Sequence, residues 1–164
     1  MPKTQPQPTP EHYYRWSSFD ELTTRELYDI LRARQEVFAV EQACVYQDAD
    51  GKDQNAWHLT GWSGASDNPT LVAYLRVVAP GAKYAEPSIG RVLTCQSVRG
   101  TGIGRELMRL GIEHTQRECP GAPIRISAQL YLKRFYSALG FTQTSEIYDE
   151  DGIPHIEMLY TPSD

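Results

Sequence analysis

No stretch of this chain stays apolar for the roughly 18 residues that a membrane helix needs. Cysteine is scarce. Cys44, Cys95 and Cys119 are an odd set with no C-x-x-C spacing, which excludes a disulfide framework or a zinc knuckle and points to a reducing, cytoplasmic setting. A basic excess is also missing: Lys and Arg number 16 against 21 Asp and Glu, a net charge of −5. A grip on nucleic acid would need the opposite sign, so a neutral or cationic small partner is expected instead. The four histidines form no metal-ligand constellation, and no metal is expected. An EF-hand counted from Asp48 fails, because Asp53 falls where glycine is required and Leu59 where glutamate is required.

What is present fits one ordinary globular domain. The chain has 164 residues, 40% hydrophobic and 23% charged, enough to bury a sizeable core. Residues 1–11 contain four prolines among polar neighbours and lack the apolar centre of a secretory signal. They are expected to form a flexible tail outside a domain at 12–161. Thr23-Thr-Arg-Glu26 fits a capping box, and Leu27, Leu31, Arg34 and Phe38, widened by Ile30 and Val37, predict a helix over 24–38. The helix fades into a loop ending at Asp50-Gly51. Glu41, Asp48 and Asp50 there read either as a solvated acidic loop or as an anionic lip that favours a cationic amine.

Strand-like runs follow at 56–62, 71–79 and 89–98, with a turn signal at 66–69. Helical spacing resumes from Ile103 through Leu107, Leu110 and His114 and stops near Cys119-Pro-Gly121. Then come a strand at 123–129, a short helix over Leu132, Phe135, Tyr136 and Leu139 closed by Gly140, and a hairpin of 141–148 with 153–160. The order predicts an α/β layer with a mixed sheet. His58, beside Trp57 in a short strand, reads as a core or capping residue. Cys95 reads as a buried structural thiol.

The densest signal is Arg99-Gly-Thr-Gly-Ile-Gly104 between a strand and a helix. Glycines let main chain approach a large anion, and a helix start offers free amides and partial positive charge; together they make a diphosphate cradle. A tight turn with no ligand is equally compatible with the spacing. A P-loop is excluded because Arg105-Glu106 follow Gly104 where Lys-Ser/Thr is needed. The dinucleotide fingerprint fails as well, since its third glycine would fall at Arg105 or Leu107.

Arg99, Gly102 and Gly104 hold the three fixed positions of Arg/Gln-x-x-Gly-x-Gly/Ala, and this turn resembles the acyl-CoA signature of the GNAT N-acetyltransferase superfamily. That family often pairs an Asn with a Tyr seven positions on, in a helix ending Gly-Phe. Here Gln129 stands for the Asn, and Tyr136 precedes Gly140-Phe141. Val40-Glu-Gln-Ala-Cys-Val-Tyr-Gln-Asp-Ala-Asp-Gly51, Ile89-Gly-Arg-Val92, Ala128-Gln129, Phe135-Tyr136 and Glu150-Asp-Gly-Ile-Pro-His155 are similar to the ElaA-like branch of bacterial GNAT proteins, a likeness that spans 13–160.

The resemblance implies a GNAT-like mixed β-sheet with two splayed central strands and helices on both faces. It implies acetyl-CoA as cosubstrate and acetyl transfer to a primary amine of a small molecule or peptide, by direct attack in a ternary complex. In that arrangement Val92, Leu93 and Thr94 hold the pantetheine arm by main-chain pairing. Arg99, Gly100, Thr101, Gly102, Ile103 and Gly104 hold the diphosphate, and Gln129 lends its amide. Tyr136 would protonate the departing thiolate, since a phenol stays protonated near neutrality. Glu41 and His155 are the two candidates to accept the amine proton; His155 shares a strand face with Glu157, away from Ile156, Met158 and Tyr160. A CoA-binding sensor without turnover and an ATP- or dinucleotide-binding domain are the rival readings. A homodimer is compatible with the sequence, although no residue demands it.

Overall fold

The computed structural model describes residues 12–64 and 67–163. The expected tail at 1–11 lies outside them. The described chain opens with β1 (His12–Ser18), a strand that the helix-first reading of the sequence omitted. α1 (Thr24–Arg34) follows, then β2 (Ala56–Ser63), β3 (Thr70–Val78), β4 (Ser88–Thr94), α2 (Ile103–Glu118), β5 (Ile124–Gln129), α3 (Lys133–Ala138), β6 (Phe141–Gln143), β7 (Tyr148–Glu150) and β8 (Ile153–Tyr160).

Local chemistry explains the borders. The Thr23 hydroxyl accepts from the Glu26 amide at 3.1 Å, and the Glu26 carboxylate accepts from the Thr23 amide at 2.9 Å. This is the predicted capping box, and it satisfies two orphan donors of α1. α1 does not stop at 38. It runs on as a π-helical stretch, Gln35–Glu41, the kind of local widening often found at functional sites. The innermost residues are Ile30, Ala33, Arg34 and Val37, so the buried stripe lies to one side of the Leu27–Leu31 line that the spacing suggested. The third predicted strand is also shorter than expected. It ends at Thr94, and Gln96–Val98 form a 3-10 turn.

β1 to β4 form one antiparallel sheet in sequence order. In the second sheet β8 is central, with β5 on one edge and both β6 and β7 on the other. The predicted strand 141–148 is therefore two short strands separated by an excursion around Ser145, whose hydroxyl accepts from the Glu157 amide at 2.8 Å. α1 packs Ile30, Ala33 and Val37 on Trp62, Leu71, Tyr74 and Leu93. α2 packs Ile103, Leu107, Met108 and Ile112 on Leu59, Val72, Leu75 and Val77. Tyr74 and Leu75 are consecutive in β3 yet belong to different clusters, so the two helices cover opposite faces.

The two sheets meet along β4 and β5. Their starts are tied by the Arg125 amide donating to the Pro87 carbonyl at 3.1 Å, and among the described residues no ladder joins them beyond it. The β4–α2–β5 crossover sets them parallel, and the lack of a ladder past that bond leaves their far ends unpaired, a splay in the layer. A bulge lies on the β4 side: Tyr74 pairs with Leu93 but Arg76 pairs with Gly90, so β4 carries one extra residue. Arg91, inside that bulge, has φ +51°.

Candidate acyl-CoA site

Gly100 and Gly102 have φ +80° and +86°, values that favour glycine. A Cβ at either would meet nothing within 4 Å, so the turn is open on its outer side. Gly102 caps α2 with no side-chain hydrogen bond. The first helical bond is the Glu106 amide to the Gly102 carbonyl at 3.2 Å. The amides of Ile103, Gly104 and Arg105 precede it and lack intrahelical partners. The Thr101 hydroxyl fastens the turn by donating to the Val98 carbonyl. A Cβ on Gly104 would sit 3.7 Å from Thr94 and 4.0 Å from Phe135, which places the start of α2 between the end of β4 and α3.

The same end of the splay gathers the other candidates. The Cys95 amide donates to Val72 at 2.8 Å. By strand alternation the main chain of Thr94 faces away from β3, toward the gap. Its carbonyl accepts from Arg99 Nε at 3.1 Å, and Arg99 Nη2 reaches Glu41 Oε2 at 2.8 Å. Glu41 closes the π-helical stretch. The next residue, Gln42, accepts from the Gln129 amide at 3.3 Å. Val92 packs on the α2-side cluster and Leu93 is buried in the α1-side one.

Tyr136 is 7% exposed and packs edge-on against Phe135 and Phe141. Its hydroxyl is not among the sealed, unpartnered polar atoms of the described residues. Burial, with a smaller push from Tyr131, raises its pKa, so the phenol keeps its proton. His155 pairs in register with Gln129 on one side and Tyr148 on the other. It is buried, not on an open face as its alternation with Ile156 suggested, because β5 and β7 flank it and Tyr148 stacks on its ring. Its Nδ1 donates to the Ile153 carbonyl at 2.7 Å, and Nε2 lies 3.0 Å from Glu150. Both ring nitrogens are therefore engaged. Glu41 is engaged too, by Arg99.

The anionic-lip reading of Asp48 and Asp50 is corrected by the structure. Fully buried Arg34 donates to Asp48 at 2.8 Å and to Asp53 at 2.6 Å. Arg76 donates to both oxygens of Asp50, at 2.8 and 2.9 Å, and to Asp53 at 2.9 Å. Arg91 donates to Asp48 at 2.8 Å. Three guanidinium groups neutralise three carboxylates, so Asp48 and Asp50 give this region no free negative charge. Burial alone would raise the carboxyls of Asp50 and Asp53, but their arginine partners outweigh it and hold both below the usual range. Sequence reasoning missed this cluster. The one signal was Arg34 in the middle of an apolar stripe.

His58 is a core residue, as expected. The Tyr74 hydroxyl donates to its Nδ1 at 2.7 Å, and Nε2 donates to the Asp53 carbonyl at 2.9 Å. Burial pushes its pKa down, in line with that neutral tautomer. The Cys95 thiol donates to the Leu71 carbonyl at 3.4 Å, and burial, then Glu36, pushes its pKa up. The thiol is half-buried and not buried as expected, and its bond to Leu71 ties it to β3.

An arrangement of open helix-start amides, a basic side chain and a splayed strand pair suits a diphosphate joined to a slim extended arm. The profile of the acetyltransferase (GNAT) domain matches residues 63–162. The UPF0039 protein sll0451 of Synechocystis is 43% identical over 147 residues, which cover 90% of this chain and 94% of that protein. The crystal structure of an acyl-CoA N-acyltransferase from Pseudomonas aeruginosa superposes with a TM-score of 0.85 at 37% identity, over 92% of this chain and 100% of that one. Escherichia coli ElaA superposes with a TM-score of 0.84 at 36% identity, over 92% of this chain and 99% of that one. The chain belongs to the GNAT family, in its ElaA-like branch, and is an acyltransferase of that family.

Proposed function

We propose that this enzyme moves an acetyl group from acetyl-CoA to a primary amine of a small molecule or peptide, by direct attack in a ternary complex. The carrying observation is the uncapped start of α2, whose free amides open beside the splay of β4 and β5. The diphosphate takes the amides of the turn Gly100, Thr101, Gly102, Ile103 and Gly104, with Arg99 beside it. The pantetheine arm lies in the gap that keeps β4 from β5 and runs along Val92, Leu93 and Thr94, pairing with the main-chain groups that face away from β3, those of Thr94 among them. Gln129 closes the far side of the gap. Holding thioester and amine together supplies a large share of the rate gain. An amide of the β4 segment steadies the carbonyl oxygen as it becomes anionic.

As the amine attacks, its nitrogen bonds to the acetyl carbon and the C–S bond breaks. Tyr136, kept protonated by burial, gives its proton to the departing sulfur. The ammonium proton leaves to Glu41 once the diphosphate has drawn Arg99 away from it, or through water to His155–Glu150.

Mixing enzyme and acetyl-CoA with a panel of primary amines and following free thiol tests this reading. Amine-dependent thiol release is the expected result. Saturable CoA binding with no release under any amine would favour a CoA sensor, and stabilisation by ATP or NAD but not by CoA would remove the cofactor assignment.

A further inference from the structure

We propose that Asp48 and Arg91 are positioning residues for the acyl-CoA slot: their ion pair keeps Arg91 in a left-handed conformation and so maintains the β4 bulge. The inference rests on reading the slot beside β4 as the acyl-CoA site. Three facts carry it.

First, Arg91 adopts φ +51°, where an L-residue with a Cβ is strained and glycine is not. Gly90 precedes it, so the strained position holds the arginine although glycine would fit it without cost. Second, the side chain is clamped. Nε donates to Asp48 Oδ1 at 2.8 Å, Nη2 donates to the Asp48 carbonyl at 3.1 Å, and the guanidinium lies over the Tyr46 ring at 5.5 Å. The clamp is itself fixed, since Asp48 Oδ2 accepts from fully buried Arg34 at 2.8 Å and Oδ1 accepts from the Tyr46 hydroxyl at 2.9 Å. Third, the bulge sets the phase of the remainder of β4. Because side chains and main-chain groups alternate with period two, losing the extra residue would turn the next segment over. Leu93 would leave the core, and the main chain of Thr94 would face β3 instead of the gap. The charge network thus determines which backbone groups the slot presents, although its carboxylates are themselves bound to guanidinium groups.

Two substitutions at one position separate this role from plain stabilisation. Arg91→Ala and Arg91→Gly remove the same ion pairs but differ in their tolerance of positive φ. Calorimetry with acetyl-CoA should show Arg91→Ala binding about tenfold more weakly than wild type, because only the bulged fraction is competent. Arg91→Gly should recover to within about threefold. Asp48→Asn should weaken binding in the Arg91 background and add little in the Arg91→Gly background. Equal losses in the alanine and glycine variants, or an unimpaired alanine variant, would overturn the proposal. A parallel readout needs no cofactor: the amide resonances of Val92, Leu93 and Thr94 should move in Arg91→Ala and stay near wild type in Arg91→Gly. Failure of wild type to bind acetyl-CoA would sink the cofactor reading, while the amide resonances would still judge the clamp. Unmoved resonances in Arg91→Ala would refute it.

Discussion

At the scale of single residues, two substitutions probe the slot. Tyr136→Phe removes the proton that the departing sulfur needs and leaves the ring packed between Phe135 and Phe141. Thiol-release kinetics should show kcat lowered by about a hundredfold with the KM for acetyl-CoA nearly unchanged; wild-type turnover would exclude Tyr136 as the acid. Gly102→Asp meets no steric obstacle, since nothing lies within 4 Å of its Cβ. Its cost is a left-handed backbone, about 1–2 kcal/mol for a residue with a Cβ, plus negative charge beside amides meant for a diphosphate. Cofactor affinity should fall by at least about tenfold; equal affinity in a folded variant would count against the cradle. The glycine turn was legible because its spacing is local, whereas Tyr136 drew its role from the family resemblance. The acid cluster was not, because Arg34, Arg76 and Arg91 reach Asp48, Asp50 and Asp53 from distant parts of the chain.

At the scale of elements, capping and close approach make the sharpest predictions. Thr23→Ala deletes one half of the α1 capping box and should cost about 1 kcal/mol, read as a lower denaturation midpoint with the slope unchanged. Gly111 lets α2 lie against β3: a Cβ there would come within 2.7 Å of Leu75, which is fully buried. Gly111→Val should therefore destabilise by about 1–3 kcal/mol; a variant as stable as wild type would mean that α2 can shift outward freely. α2, β3 and β5 were readable because their apolar periods are long and undiluted. β1 alternates half-buried and exposed positions over residues 12–16, but its polar content hid it. The π-helical stretch left no periodic trace, because it spans only seven residues, Gln35–Glu41.

At the scale of the whole molecule, the buried charges make stability depend on acidity. The carboxyls of Asp50 and Asp53 titrate below their ordinary value of 3.8 when folded. A folded pKa below the unfolded one contributes stability that is complete above the unfolded value and lost as pH falls toward the folded one. Denaturant titrations should therefore show stability declining below about pH 4, and Asp50→Asn should flatten that decline. An acid profile unchanged by the substitution would mean that other groups govern it. Fold class was legible at this scale, since element order alone restricts the topology; the meeting of the two sheets was not, because it depends on one bond at Pro87 and a bulge at Arg91.

That meeting point gives the molecule inner strand edges as well as outer ones. An outer edge invites any polypeptide with free amides to pair with it. The inner edge of β4 is covered by α1 on one face and α2 on the other, so a group that pairs with it must arrive along the line of the strands and not across either face.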